Sequence, residues 1–242
     1  MPTCLLVRHG HSSANGQGIL AGRMPGIHLT EAGVEQAADL ARRFAGISVA
    51  RVVTSPLERC VETATPLAAA AGAPLTEEPD LLECAYGAWT GRPLAELSKE
   101  PLWGTVQDDP VSARFPDDDR YAAESLSEMA QRAMASVRRI DEQVREEHGD
   151  AALWVAVSHG DLVKAVLAEA TGSGLARFQR YTADPASVSA VRFGARHTFL
   201  LAANVLAPDL SRFVPPPEGQ PSADAVVGGG AGQGANGHHP QG

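Results

Sequence analysis

Covalent bracing is scarce in this chain. Its three cysteines, Cys4, Cys60 and Cys84, are odd in number and show no C-x-x-C spacing, which argues against a disulfide framework and against a structural zinc site. Reduced thiols and a cytoplasmic location are the expectation. Long apolar runs are missing as well: the first run after Met1 is cut by Arg8, and no later run approaches the ~18 residues of a membrane span. Neither a secretory signal nor a transmembrane helix is expected. Positive charge is in deficit, with 20 Lys and Arg against 29 Asp and Glu and a formal net charge of −9, which argues against a nucleic-acid-binding surface. Any anion recognised here must meet a local cluster of cations. Residues 214–242 contain no lysine or arginine but hold Pro215-Pro216-Pro217 and Gly228-Gly229-Gly230. Such a stretch cannot bury enough apolar surface to offset its ordering entropy, so it reads as a disordered tail. Its His238-His239 pair lacks a third ligand nearby and reads as solvated.

What remains, residues 1–213, reads as one domain. The chain is 44% apolar, enough for a substantial core, and strand-like segments alternate with helix-like ones. That alternation predicts an α/β fold, a three-layer α/β/α sandwich around a mostly parallel sheet. Strands are expected at 3–7, 51–54, 152–157, 187–193 and 198–203. A helix is expected over 30–44, capped by Thr30 and buried along Val34, Ala37, Ala41 and Phe44. Ser55-Pro56 is expected to open the next helix and Pro66 to end or kink it. A long amphipathic helix over 125–148 buries Leu126, Met129, Ala133, Val137, Ile140 and Val144, and another helix covers 161–171.

Two strings share one design: Leu5-Leu6-Val7-Arg8-His9-Gly10 and Val155-Ala156-Val157-Ser158-His159-Gly160. Each is an apolar run, a histidine and a glycine. If both runs are parallel strands, each histidine sits at a carboxyl end, where open α/β sheets place their ligand crevice. Gly10, without a side chain, is expected to let a ligand approach the backbone. Neutral imidazole is a good nucleophile near pH 7, and a phosphohistidine at His9 would split one difficult displacement into two. Arg8, inside an otherwise apolar run, needs an anionic partner, and a phosphate suits its planar fork. Arg59, one turn into the helix after Ser55-Pro56, can point back to the same crevice. His159 can add a donor for transition-state charge, cationic beside a phosphoryl group.

Arg8-His9-Gly10 with Asn15, a Gly22-Arg23 block running to Ala37, Ser55-Pro56-Leu57-x-Arg59 with Glu62-Thr63-Ala64, Leu82-Glu83 with Tyr86-Gly87-x-Trp89-x-Gly91, and Ser158-His159-Gly160 together resemble the histidine phosphatase superfamily, also called phosphoglycerate mutase-like. The blocks stand in family order over residues 5–160. The resemblance implies that fold and a phosphomonoester hydrolase working through a covalent phosphohistidine on a small phosphorylated metabolite. It implies that His9 is phosphorylated, that Arg8, Arg59 and His159 form the phosphate pocket, and that Asn15 adds a phosphate contact. Glu83 matches the acid that protonates the leaving oxygen and later activates water. That role is chemically reasonable, since an alkoxide needs a proton and a carboxyl near a dianion has its pKa raised. No metal and no cofactor are required by such a scheme. The partner implied is the small-molecule substrate, with no nucleic acid, no membrane, and either a monomer or a homodimer.

Three alternatives stay open at this point. His9-x-His11 and His159-x-Asp161 resemble metal-ligand pairs, although Arg8 and Arg59 place fixed cations where a metal would sit; His11 itself reads as a loop residue rather than a substrate contact. A phosphoglycerate mutase-type phosphomutase is the second. Against it, Ala14 stands where such mutases have tryptophan, and Glu83-Cys84-Ala85-Tyr86-Gly87 lacks their arginine. Residues 92–123, expected to be a substrate lid, carry Glu96, Glu100, Asp108, Asp109, Asp117, Asp118 and Asp119 against Arg92, Lys99, Arg114 and Arg120, a poor match for a highly charged acid. The third is a non-catalytic phosphate- or partner-binding module of the same fold, opposed by the intact set of Arg8, His9, Arg59, Glu83 and His159. Trp89 is read as core; Trp103 and Phe115 are either core or an apolar substrate wall.

Overall fold

The computed structural model describes residues 1–206 and Gly228. The tail expected over 214–242, with His238-His239, lies outside the described residues except at Gly228. A six-stranded sheet has the order β3-β2-β4-β1-β5-β6, with β1 Thr3–Arg8, β2 Val52–Thr54, β3 Leu75–Glu77, β4 Leu153–Ser158, β5 Val188–Phe193 and β6 Thr198–Val205. The strands from β3 to β1 run parallel, and β5 and β6 join antiparallel. Seven α-helices accompany them among the described residues: α1 Ser13–Gln17, α2 Glu31–Phe44, α3 Glu58–Ala71, α4 Leu94–Leu97, α5 Pro101–Asp108, α6 Leu126–His148 and α7 Gly160–Ala170. Alternate strand residues feed two cores. Val7, Val52, Val155 and Val157 pack against α2 and α3, while Cys4, Leu6, Trp154 and Ala156 pack against α6 and α7. This is the expected three-layer sandwich, since period-2 alternation in a doubly covered sheet gives each face its own apolar set.

Local chemistry explains most boundaries. Ser125 and Glu128 form a reciprocal capping box at the start of α6, and every apolar residue expected on its stripe is buried, so burial and cap agree on one helix. Thr30 caps α2 through Gly33 N–H. The α2 stripe differs from expectation, because Val34 is 57% exposed and Leu40 is buried instead. Gly33 sets that rotation: a Cβ there would lie 2.0 Å from the His11 carbonyl oxygen, so the helix backbone itself abuts the β1 loop. The helix after Ser55-Pro56 begins at Glu58, two residues later than proline at its first position would require, and it continues through Pro66 to Ala71. Buried Ala64, Leu67 and Ala68 hold it against the sheet across the missing N–H. Residues 92–123 fold back onto the core through Leu97, Val106, Ala113 and Phe115.

No helix among the described residues is long and apolar enough to cross a membrane.

Candidate active site

Because β1 and β4 pair in parallel with Arg8 opposite Ser158, the two histidines leave the sheet side by side. His9 N–H donates to the Ser158 carbonyl at 2.9 Å, and the two rings stand 5.3 Å apart, edge to face. The paired strings therefore converge as expected. Gly10 has a different reason than the expected one: a Cβ there would lie 2.7 Å from the Gly33 carbonyl oxygen, so the glycine admits α2 rather than a ligand.

Arg59 organises the two rings. Its Nε–H donates to His9 Nε2 at 3.2 Å, so that nitrogen carries a lone pair, and His9 Nδ1 donates its proton to the Gly10 carbonyl at 2.7 Å. Arg59 Nη2 meets the Gly22 carbonyl at 2.8 Å and His159 Nδ1 at 3.1 Å. The latter nitrogen is thus the acceptor, and His159 Nε2–H donates to Ser55 Oγ at 2.8 Å. Burial, followed by the charge of Arg59, pushes the pKa of both imidazoles well below the usual value near 6.5; a cationic His159 would need the dianion beside it. Arg59 Nη1 is buried with no hydrogen-bond partner among the described residues. A buried guanidinium N–H with no protein acceptor is costly and suits an anionic ligand. Arg8, buried at the end of β1, donates from Nη1 to the Ala183 carbonyl at 2.8 Å; burial lowers its pKa, opposed by Glu83, Asp184 and Asp161.

Glu83 faces the same cleft. Burial first, and then the negative charge of Asp161, raise its pKa to about 7, so the carboxyl is poised between acid and base near neutrality. Its main chain is fixed by Arg23, which the sequence marked only as part of a family block, and by Arg132 and Glu124, which sequence reasoning missed: Arg23 Nε and Arg132 Nη2 donate to the Glu83 carbonyl at 2.8 and 3.0 Å, and Glu124 holds both arginines. Asn15 lines the cleft, while its Oδ1 accepts from Ser12 N–H and Oγ in the cap of α1.

The cleft is lined by His9, Ser12, Asn15, Arg59, Glu83 and Tyr86, by an apolar flank of Ala14, Ile19, Leu20, Ala21 and Leu94, and by Gly228. His159 is wholly buried behind His9 and does not line it. His11 stands aside, its Nδ1 on Thr30 Oγ1 at 3.0 Å. Asp161 is taken by Tyr86 OH at 2.8 Å and Lys164 Nζ at 3.1 Å. The two candidate metal-ligand pairs are thereby separated, and no group of three or more His, Cys, Asp or Glu among the described residues could hold a metal ion. Trp89 is core, in ring contact with Trp103 and Phe115 and donating to Glu100 at 2.7 Å; none of the three rings lines the cleft.

A family model described as the histidine phosphatase superfamily (branch 1) matches residues 4–206. An uncharacterised protein of Mycobacterium tuberculosis is 45% identical over 80 residues, 33% of this chain and 39% of that protein, so the match spans about two-fifths of that relative. Phosphoserine phosphatase 1 of Hydrogenobacter thermophilus is 28% identical over 207 residues, 85% of this chain and 93% of its own. Among solved structures, the alpha-ribazole phosphatase of Shigella flexneri superposes with a TM-score of 0.70 at 25% identity, covering 84% of this chain and 96% of its own.

Proposed function

The chain belongs to the histidine phosphatase superfamily, and on that premise we propose that it hydrolyses a small phosphomonoester through a covalent phosphohistidine at His9. One observation carries the reading: His9 presents an unprotonated Nε2 to Arg59 in the cleft where Arg59 Nη1 awaits an acceptor. Nucleophile and anion donor therefore converge on one small volume. In the first step the Nε2 lone pair forms the N–P bond as the P–O bond to the leaving group breaks, and Glu83 gives its proton to the departing oxygen. In the second, the Glu83 carboxylate takes a proton from water, the water oxygen attacks phosphorus, and the N–P bond breaks to free His9 and phosphate. Arg8, Arg59 and Asn15 are assigned to the phosphoryl oxygens, whose charge grows in the transition state; His159, behind His9, joins them as a donor only when a bound dianion draws a second proton onto its ring. The scheme requires no metal or cofactor.

The apolar flank and Leu94 of segment 92–123 are assigned to the alcohol part of the substrate, which gives that segment its role as a lid over the domain. Hydrolysis is favoured over phosphomutation by the cations: Arg59 is the one cationic side chain among the described residues that lines the cleft, Arg8 is buried at the end of β1, and Arg23 and Arg132 are held by Glu124. The phosphatase names of the relatives agree with this choice. We place the enzyme in the cytoplasm with small phosphomonoesters, rather than nucleic acid, as partners. The test is turnover of p-nitrophenyl phosphate with and without chelator. Activity that survives chelation and vanishes in His9→Ala supports the reading; loss with chelator, or full activity in His9→Ala, refutes it.

A further inference from the structure

Gly228 is far from the catalytic blocks in sequence, yet it lies at the edge of the cleft. Its N–H donates to Asp161 Oδ2 at 2.9 Å, and its carbonyl accepts from Arg8 Nη2 at 3.4 Å. Asp161 is a preset acceptor, fully buried and held by Tyr86 OH and Lys164 Nζ. The position is built for glycine: φ is +75°, and an added Cβ would lie 2.9 Å from Leu20 Cδ1, so any side chain meets both backbone strain and a contact. In the sequence Gly228 opens the run Gly228-Gly229-Gly230, the run that composition alone left without a purpose.

We infer that Asp161 Oδ2, Arg8 Nη2 and Leu20 form a peptide subsite beside the cleft that takes the backbone of Gly228 in competition with the substrate's phosphate. The inference rests on the phosphate-binding role proposed for Arg8. The direction of the carbonyl decides between competition and completion of the site. A carbonyl oxygen on Arg8 presents partial negative charge where a phosphate oxygen needs the same donor, and two acceptors repel at one guanidinium edge. The N–H of Gly228 points to Asp161 and gives nothing to an anion. Gly228 therefore acts as a displaceable occupant, and substrate binding is weakened according to the fraction of molecules in which it is seated. If that fraction is about nine in ten, releasing Gly228 tightens phosphate binding about tenfold.

The test uses the full chain and orthophosphate. Hydrogen exchange at the Gly228 amide is expected to be slow without phosphate and to accelerate when phosphate saturates the protein. Gly228→Val is expected to tighten orthophosphate binding, measured calorimetrically, by about tenfold, and to lower KM for p-nitrophenyl phosphate with kcat unchanged. Fast exchange without phosphate, slower exchange with it, or equal or weaker binding by Gly228→Val overturns the peptide subsite while leaving the phosphatase reading standing. No orthophosphate binding by either form removes the phosphate role of Arg8, and the competition falls with it.

Discussion

The carboxyl ends of β1 and β4 carry the same local string, and their rings lie 5.3 Å apart, yet their surroundings give them different chemistry. His9 is 4% exposed, lines the cleft, and its Nδ1 proton is spent on its own neighbour's carbonyl. That leaves the lone pair on Nε2, facing Arg59. His159 is 0% exposed, and both its nitrogens are used inside the protein, on Ser55 and Arg59. The tautomers are opposite, and each is set by what the second nitrogen touches. A strand-histidine-glycine string thus places an imidazole, while its partners set which of its nitrogens carries the proton.

The sharpest way to break this asymmetry is to remove each ring in turn. His9→Ala is expected to lower kcat for p-nitrophenyl phosphate by roughly 10⁴-fold or more, whereas His159→Ala costs on the order of 10²–10³-fold as a lost donor. Equal losses would erase the distinction. Arg59 joins the two rings, so Arg59→Lys, which keeps charge but not the fork, is expected to cost about 10²-fold; a loss confined to KM would make it a binding group only.

Glu83 provides the next contrast. Glu83→Gln should slow alkyl phosphates by about 10²–10⁴-fold and nitrophenyl phosphate far less, because only the alkoxide needs the proton. With its pKa raised to about 7, the acid form exists below that pH and is lost above it. Turnover of alkyl phosphates limited by the first step should therefore fall about tenfold per pH unit on the alkaline side, and the glutamine variant should lack that limb. The smallest effect is expected from Asp161→Asn. Removing a negative neighbour lowers the Glu83 pKa, so the alkaline limb moves to lower pH; a limb that stays put would separate Asp161 from Glu83.

Much of this was legible before any coordinates. Strands β1 and β4 are continuous apolar runs, and α6 carries a regular stripe with Ser125 and Glu128 at its start, so local pattern and tertiary burial agree. That His9, Arg59 and Glu83 line one cleft agrees with strand-end logic and the family blocks, while Arg8 and His159 are buried outside its lining. What escaped depends on contacts distant in sequence. The clamp of Arg23, Glu124 and Arg132 on the Glu83 carbonyl joins three segments with no shared motif. Val34 faces outward because Gly33 meets the His11 backbone, and α3 runs through Pro66 because its neighbours are buried. β3 is only three residues long and mostly exposed, too short for periodicity to register. The tautomers of the two histidines have no sequence signal, since they follow from Ser55, Gly10 and Arg59 in space.

The central claim is that His9, and not His159, receives the phosphoryl group. Reacting the protein with ³²P-labelled phosphomonoester, quenching within one turnover and mapping the acid-labile label by peptide mass spectrometry tests it directly. The account predicts phosphate on the peptide containing His9, absent in His9→Ala and retained in His159→Ala. Label on the His159 peptide, or none under conditions of active turnover, would contradict it.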